Sequence, residues 1–278
     1  MKTLKDLIGD RYGVEVDFGG DMPAEGALAG ILARGSQRHY KPDPVPDDLL
    51  QVLLACAQSA PTKSDLQQYS IIVVKDPALR ESLSELRSGM DWPPLAPLFL
   101  VFCADMRRIQ RLAELRGHDH ENNNLDTFMN GIVDAALAMQ CFINAAEAAG
   151  LGVCPISQIR NKMDTVRDLL SLPPGVFPIA GLAGGWPQFE TPRISLRLPQ
   201  SVVVHTDRYN DDALADDVES YDRRRHAHTP LPEAKQRHVD LYGALEYCPW
   251  SENVTRQLSK PERAGFKDFL QKHGFDLA

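Results

Sequence analysis

The sequence lacks any segment that would place the chain in a membrane or an export pathway. No apolar run reaches the roughly 18 to 20 residues that a membrane-spanning helix needs, and acidic side chains interrupt the N-terminal stretch where a signal peptide needs an apolar core. A net charge of −8 leaves no dominant basic surface for nucleic acid or anionic lipid. We therefore expect a cytoplasmic protein without a nucleic-acid or membrane partner.

Cysteine is scarce, and its spacing shows no paired motif. The chain has five cysteines and no CxxC pair, so neither a zinc site nor a redox dithiol is indicated. We expect reduced, buried side chains that act as small hydrophobes. Cys154 differs from the other four because it lies in a turn; the others are Cys56, Cys103, Cys141 and Cys248.

Several familiar catalytic and binding motifs are missing as well. His118, His120 and Glu121 lack the helical spacing of zinc motifs, so no metal is expected. No G-x-x-x-x-G-K-S/T loop is present. The Gly-Leu-Gly at residues 150–152 follows a predicted helix, whereas a dinucleotide fingerprint follows a strand. No catalytic triad or acid–base pair stands out, so we expect no catalytic side chain.

The composition that remains is that of a globular protein with a sizeable core, at 43% hydrophobic and 24% charged residues. Residues 1–29 carry no motif and are interpreted as an extension or arm, and residues 30–278 as one domain. Apolar periodicity predicts helices over residues 46–59, 77–86, 161–170, 250–258 and 263–272, and strands over residues 69–74, 98–103 and 176–184. Residues 153–156 are expected to be short and extended.

A long apolar-periodic segment at residues 125–150 is the central feature of this pattern. Its apolar side chains recur at helical spacing and its many alanines allow close packing, which favours burial in the domain or at a subunit interface. Gly150 ends the predicted helix. The turn that follows is predicted to form one wall of a cofactor site.

Two polar segments are candidates for ligand contacts. In residues 30–40, the end of a short predicted apolar helix is followed by Arg34, Ser36 and Arg38. Two guanidinium groups and a hydroxyl are able to bind a phosphate. A solvated basic turn is the alternative for this segment. The hydroxyl-rich and amide-bearing loop at residues 60–67 suits polar ligand contacts, but a plain connecting loop would look similar.

Taken together and in order, six short motifs resemble the nitroreductase family of flavoproteins, in particular its NADPH-dependent, oxygen-insensitive nitroreductase and flavin reductase branch. They are RGSQRHY at residues 34–40, SAPTKSDLQ at 59–67, LVFCAD at 100–105, GLGVCPI at 150–156, GWP at 185–187 and RLP at 197–199. The C-terminal WSENV at residues 250–254 and KPER at 260–263 are similar to that branch too.

The resemblance implies an α+β homodimer with a central mixed, mostly antiparallel sheet, flanking helices and a long central helix. It also implies FMN at the subunit interface and NADPH or NADH as the hydride donor. The cofactor-binding residues that it implies are Arg34, Gly35, Ser36, Arg38 and Arg197 for the phosphate and ribityl chain, Thr62, Lys63, Ser64, Gln67 and Met90 from other loops, Pro155, Ile156, Ser157 and Gln158 against the isoalloxazine ring, and Arg160 near its pyrimidine edge. Asp126 and Arg263 fall where the branch meets NADPH.

Four positions depart from the pattern of the branch. It often has glycines at the positions of Ser157 and Gln158, a glutamine at that of Met90 and a lysine at that of Ser195. Ser195 in place of a lysine removes one positive charge from the phosphate site. Arg34 and Lys63 are candidates to supply that charge instead. The side chains of Ser157 and Gln158 are expected to narrow or re-polarise the substrate face.

The activity implied is hydride transfer from NADPH or NADH, through FMN, to a nitroaromatic, quinone or flavin acceptor by a ping-pong mechanism. Two alternatives stay open at this point: an FMN-binding protein without turnover, for storage or sensing, and a protein without flavin whose arginines are merely solvated. The basic run at residues 223–225 is interpreted as a solvated turn, with a contact to the 2′-phosphate of NADPH as the alternative.

Overall fold

A computed structural model describes residues 2–86 and 95–276 of the chain. Contacts group the chain into two compact units. Unit 1 comprises Met1–Gly35 and Ile194–Glu262, and unit 2 comprises Ser36–Arg193 and Arg263–Ala278. The predicted division after residue 29 stays a prediction.

Unit 2 is built on a four-stranded sheet with the order β1-β2-β4-β3. All three strand pairs are antiparallel. Strand β2 lies inside the sheet and is apolar up to its last residue, because alternate side chains enter the cores on the two faces: Leu100 and Phe102 on one face, Phe99 and Val101 on the other. The strands are β1 (Tyr69–Val73), β2 (Leu98–Asp105), β3 (Gly152–Ile156) and β4 (Val176–Gly185).

Helices cover both faces of this sheet. The long α6 and α3 pack on one face, α4 and α7 on the other, and α12 joins an aromatic cluster with Phe128 and Phe177. The helices of unit 2 are α3 (Asp47–Gln58), α4 (Pro77–Glu85), α5 (Arg107–Arg116), α6 (Leu125–Ala148), α7 (Met163–Leu169) and α12 (Phe266–Lys272). The predicted α+β architecture with a long central helix is confirmed.

By length and composition alone, α6 is apolar enough to cross a membrane. Within unit 2, however, its Ala135, Ala138, Phe142 and Ala146 are fully buried against the sheet and α3. It is the core helix of this unit, and the positive φ of Gly150 after its end matches the predicted glycine stop.

Unit 1 is helical. Its helices are α1 (Leu4–Tyr12), α2 (Gly26–Ala33), α8 (Gln200–Val203), α9 (Leu214–His228), α10 (Val239–Tyr242) and α11 (Trp250–Leu258). A capping box between Thr3 and Asp6 starts α1. Residues 2–29 are therefore folded, with Leu4 and Leu7 buried, although the sequence shows no motif there.

Three interpretations of secondary structure are corrected. Residues 223–225 lie inside α9 rather than in a turn, because Tyr221 and Asp222 are buried on one face and Arg223 pairs with Glu219 one turn earlier. The last helix begins at Phe266 and not at Arg263, whose φ of 54° is left-handed. The helix predicted from residue 161 starts at Met163.

The cysteines follow the expectation in part. All five are reduced; Cys103, Cys154 and Cys248 are buried, and Cys56 and Cys141 are half-buried. Burial raises the pKa of the Cys103 thiol far above its ordinary value, so this side chain stays protonated and apolar.

Candidate active site

A buried carboxylate on α6 holds the polar loop that precedes β1. Asp134 is 0% exposed, and its two oxygens accept hydrogen bonds of 2.9 Å from the backbone amides of Lys63 and Gln68. Gly131, one turn earlier on α6, lets the helix approach closely, since a Cβ there would lie 3.3 Å from the Gln68 carbonyl oxygen. The loop at residues 63–68 is thus anchored at both ends by one side chain.

Between these anchors the backbone takes an unusual course. Ser64, Asp65 and Gln67 have φ angles of 48°, 57° and 51°, a left-handed conformation that residues other than glycine rarely adopt. Arg108 donates to the Gln67 carbonyl oxygen at 2.6 Å and supports this geometry. Such strain concentrates at functional sites, and here it presents the exposed side chains of Lys63, Ser64 and Gln67 to solvent. Thr62 is half-buried beside them.

A second predicted segment, residues 36–41, runs along the outer edge of β3. The Gln37 amide donates to the Val153 carbonyl at 3.1 Å, and the Lys41 amide donates to the Trp186 carbonyl at 2.8 Å. Gly152 makes the close approach possible, because a Cβ there would lie 2.6 Å from the Cβ of Gln37. The structure therefore places Ser36 and Arg38 next to β3.

Tyr40 fastens this segment to the sheet. Its hydroxyl donates to the carbonyl oxygens of Gln37 and Ala183 at 2.5 and 3.3 Å. Burial, and then the neighbouring Cys154, raise the pKa of Tyr40 far above its ordinary value, so the hydroxyl remains a donor. Arg38 is exposed and forms no ion pair with a described carboxylate, which leaves its charge available for an anion.

The turn after β3 presents alternate residues outward. Pro155 and Ser157 are exposed, whereas Ile156 and Ile159 enter the core. The side-chain oxygen of Gln158 is buried and has no hydrogen-bond partner among the described residues. A buried oxygen without a partner is costly, so a ligand donor would suit it. Arg160 donates to the carbonyl oxygen of Ile179.

Unit 1 brings together two other predicted residues, Arg34 and Arg197. Both are tied to Arg11, a buried residue in the last turn of α1. The Arg11 guanidinium donates to the Arg34 carbonyl oxygen at 2.6 Å, and the Arg197 amide donates to the Arg11 carbonyl oxygen at 2.9 Å. Gly35 is buried, and the exposed Arg197 forms no ion pair with a described carboxylate.

The two residues predicted to meet NADPH, Asp126 and Arg263, each lie within three residues in sequence of a phenylalanine of the aromatic cluster in unit 2. Asp126 accepts a hydrogen bond of 3.0 Å from Asn130, and the Nε of Arg263 donates to Asn161 at 3.0 Å. Phe128 and Phe266, close to them in sequence, have ring centroids 6.1 Å apart. The predicted contact Met90 lies outside the described residues.

A cavity of about 530 Å³ opens within unit 1. It is lined by aromatic and basic side chains, among them Tyr12, Arg197, Tyr221, Arg225 and Trp250. Arg223 and Arg224 of the same basic run bond to Glu219 and Ser220 instead. Only Arg225 of these three arginines lines the cavity.

Each unit by itself carries donors that suit a phosphorylated flavin. Arg38 and Arg197 offer guanidinium groups that no described carboxylate neutralises, Ser36 offers a hydroxyl, and Gln158 has a buried oxygen to satisfy. Guanidinium groups bind phosphate in a paired geometry, and a flavin ring carries both donors and acceptors on one edge. The residues that the structure describes therefore fit FMN.

Sequence reasoning missed the two residues that organise these segments, Asp134 and Arg11. Each one had a signal. Asp134 falls on the buried face of α6 with Gly131, Ala135 and Ala138, and Arg11 falls on the buried face of α1 with Leu4 and Leu7. A charged residue at an apolar position of a helix needs a partner, and these partners are backbone groups far along the chain.

Comparisons with known proteins identify the family of this chain. The family model described as "Nitroreductase family" matches residues 31–186, and the model for its C-terminal domain matches residues 195–278. The chain belongs to the nitroreductase family. It is 32% identical to the FMN reductase [NAD(P)H] of Bacillus subtilis, over 87% of this chain and 94% of that protein.

Two further relatives span almost the same region. The oxygen-insensitive NADPH nitroreductase of Salmonella typhimurium is 34% identical, over 88% of this chain and 96% of its own length. The solved structure of NfrA2 from B. megaterium superimposes with a TM-score of 0.81 at 32% identity, and the match covers 91% of this chain and 98% of that one. The resemblance drawn from the short motifs is confirmed.

Proposed function

We propose that this protein is an FMN-dependent oxidoreductase that takes hydride from NADPH or NADH and passes it to a nitroaromatic, quinone or flavin acceptor. The observation that carries the proposal is the near full-length likeness to an FMN reductase and an NADPH nitroreductase. The polar segments of this chain supply a donor set that fits FMN. When bound, FMN supplies the redox chemistry, since it accepts a hydride and passes it on.

In unit 1, Arg34, Gly35 and Arg197 bind the phosphate of FMN. Two guanidinium groups give paired, charge-assisted hydrogen bonds, and a buried glycine lets the backbone come close to a phosphate oxygen. Arg197 suits this role because it is exposed and forms no ion pair with a described carboxylate.

In unit 2, Ser36 and Arg38 contribute to binding the phosphate and ribityl chain. The loop that carries Thr62, Lys63, Ser64 and Gln67 contacts the flavin. Its fixed backbone supports this role, because a loop held by Asp134 loses little conformational freedom on binding.

The turn after β3 lies against the flavin ring. Pro155, Ile156, Ser157 and Gln158 contact it, with the backbone amides of the turn as donors and Arg160 near the pyrimidine edge. The side chains of Ser157 and Gln158 narrow the substrate face, and this is where substrate choice differs from that of relatives with glycines. No side chain exchanges a proton in this scheme, so the protein binds, orients and excludes water.

Asp126 and Arg263 meet the hydride donor. The donor leaves before the acceptor enters the same face, which is a ping-pong sequence. The Nε of Arg263 donates to the side-chain oxygen of Asn161 at 3.0 Å, which supports a fixed orientation of the guanidinium.

We also propose a cytoplasmic homodimer with FMN at the subunit interface. An exposed apolar stripe on α6 supports it: Leu125, Met129, Val133 and Leu137 recur every fourth residue and are 48, 57, 50 and 37% exposed. Light scattering of the purified protein should give twice the chain mass, and Val133→Asp should shift it towards the monomer. A monomeric wild type would refute the dimer.

Anaerobic stopped-flow mixing tests the activity. Protein loaded with FMN should lose its flavin absorbance near 450 nm when NADPH or NADH is added, a band that follows from the cofactor. It should regain the absorbance when a quinone or nitroaromatic is added. Loaded protein that neither bleaches nor reoxidises would leave only flavin binding without turnover, and protein that takes up no FMN would refute the proposal altogether.

A further inference from the structure

Arg11 lies in a part of the chain that precedes the region matched by the family model. It occupies the last turn of α1, and the match begins at residue 31. Its side chain is only 8% exposed, which is rare for arginine unless its donors are satisfied. What it bonds to therefore defines its role.

The partners of Arg11 are backbone groups on two separate segments of unit 1. Its NH2 donates to the carbonyl oxygens of Leu32 and Arg34 at 2.7 and 2.6 Å, and its NH1 donates to that of Ser195 at 3.0 Å. Its own carbonyl oxygen accepts from the Arg197 amide at 2.9 Å. One residue thus bonds to the backbone at Arg34 and to the backbone at Arg197.

The end of α1 is also packed tightly on the second of these segments. Gly13, which caps α1, has a φ of 67°, and a Cβ there would lie 2.9 Å from Cδ1 of Leu196. Glycine is needed both for the left-handed turn and for this close approach. The contact fixes the position of α1 relative to residues 195–197.

A phosphate bound by two guanidinium groups needs both of them at a defined separation. Arg34 and Arg197 are far apart in sequence, and Arg197 is exposed, so their relative position depends on whatever joins their backbones. Fixing the site before the ligand arrives lowers the entropy that is lost on binding. The fork of an arginine is suited to this task because it bonds to several carbonyls at once.

We propose that Arg11 is a positioning residue for the FMN phosphate: it holds the backbone of Arg34 and Arg197 at the spacing that the phosphate requires. The proposal rests on the proposed function, since it assumes that these two arginines bind FMN. Arg11 itself does not touch the phosphate. It also reaches the carbonyl of Ser195, the position where the branch often has a lysine.

The test compares FMN with riboflavin, which has the same ring but no phosphate. Apo-protein is titrated with each flavin, and binding is followed by quenching of flavin fluorescence. Arg11→Gln should weaken FMN binding about 10- to 100-fold, the range expected when charge-assisted phosphate contacts are misaligned. Its affinity for riboflavin should change less than about threefold, because the ring contacts belong to other residues.

Two further variants guard against a general loss of structure. Leu7→Ala removes a buried side chain from the same helix without touching these carbonyls, so both affinities should fall by the same factor. Arg11→Lys keeps the charge but cannot bond three carbonyls in one plane, so it should lose FMN affinity selectively and by a smaller factor. If Arg11→Gln does not fold, Arg11→Lys carries the test.

Equal losses for FMN and riboflavin in the Arg11 variants would overturn the proposal, as would unchanged FMN binding. Either result leaves the proposed function intact as long as the wild type binds FMN. A wild type that binds neither flavin would refute the proposed function instead, so the two failures are distinguishable.

Discussion

Each of the two units uses one buried charge to shape a segment that is proposed to bind FMN. In unit 2, the carboxylate of Asp134 accepts hydrogen bonds from two backbone amides and fixes the loop at residues 63–68. In unit 1, the guanidinium of Arg11 donates to three backbone carbonyls and fixes the segments around Arg34 and Arg197. The sign of the buried charge determines which backbone groups it binds.

The two units differ in which side chains the fixed backbone exposes. Asp134 satisfies backbone amides, and the loop that it holds exposes a lysine, a serine and a glutamine, which are proposed to contact the flavin ring. Arg11 satisfies backbone carbonyls of the segments that carry Arg34 and Arg197, the two arginines proposed to bind the phosphate. A buried charge in a helix that is otherwise apolar on that face is thus a sign of a preorganised loop elsewhere in the chain.

Asp134→Asn should have the largest effect. The amide group of asparagine sets a donor against one of two buried backbone amides, so we expect the free energy of unfolding to fall by about 2 to 4 kcal/mol. Urea denaturation measures this loss. FMN and riboflavin affinities should fall together, unlike in Arg11→Gln, because the loop is proposed to contact the flavin ring and not the phosphate.

The matched control for Asp134 is Asp119→Asn, an exposed loop residue that should change the free energy of unfolding by less than about 0.5 kcal/mol. If Asp134→Asn proved as harmless as this control, the loop would not depend on the carboxylate. If it weakened FMN alone, the assignment of the loop to the ring would be wrong.

Gly13→Ala sharpens the account of unit 1. The alanine has to adopt a left-handed φ and press on Leu196, and we expect a loss of about 2 kcal/mol of folding stability with a selective loss of FMN affinity. Gly26→Ala is the matched control, because Gly26 has a φ of 64° with no atom within 4 Å of an added Cβ. It should lose only about 1 kcal/mol, from backbone strain. Equal losses, measured by thermal and urea unfolding, would show that the contact with Leu196 does not matter.

Much of unit 2 was predictable because its periodicity is strong. The run of apolar residues in β2 and the helical spacing in α6 reflect burial on both faces of a sheet and along one helix face. Unit 1 was largely missed since α9 has few apolar residues and α1 is short, so most of their stability comes from contacts that local periodicity does not show.

The residues of the candidate site likewise fall into some that the sequence predicts and some that it does not. Its ligand-facing residues, such as Arg38 and Gln67, lie in contiguous motifs that a family resemblance reveals. Asp134 and Arg11 do not, because their partners are far away: Arg11 and Ser195 are 184 residues apart, and Asp134 and Lys63 are 71 apart. Only the folded chain identifies such partners.

The two arginines considered for a contact with the 2′-phosphate of NADPH lie in different units. Arg263→Gln should raise the KM for NADPH about tenfold relative to the KM for NADH, because the variant loses a pair of charge-assisted hydrogen bonds to the 2′-phosphate. Asn161 accepts a hydrogen bond from Arg263 and orients its guanidinium group in the wild type. Arg225→Gln, in the cavity of unit 1, should change this ratio less than about threefold. Steady-state kinetics with both donors measures it. If only Arg225→Gln raised the KM for NADPH relative to that for NADH, the contact with the 2′-phosphate would be assigned to Arg225 in unit 1.

Asp164 should show the smallest effect, because it is an anchored carboxylate that stays in solvent. It is 57% exposed, and hydrogen bonds from Lys272 and then His273 lower its pKa below the ordinary value of 3.8. Solvent screens the charges of Asp164 and Lys272 and limits the stability that their ion pair contributes. Asp164→Asn should therefore reduce the free energy of unfolding by less than about 1 kcal/mol at pH 7.

The contribution of Asp164 to stability depends on pH. Because its pKa is lower in the folded state than in the unfolded state, this contribution is present above the unfolded-state pKa and disappears as the pH falls through the folded-state pKa. Urea unfolding of wild type and variant should therefore differ slightly at pH 7 and converge well below pH 4, the region of that unfolded value. A loss as large as that of Asp134→Asn would mean that burial is not what makes an anchoring charge strong in this protein.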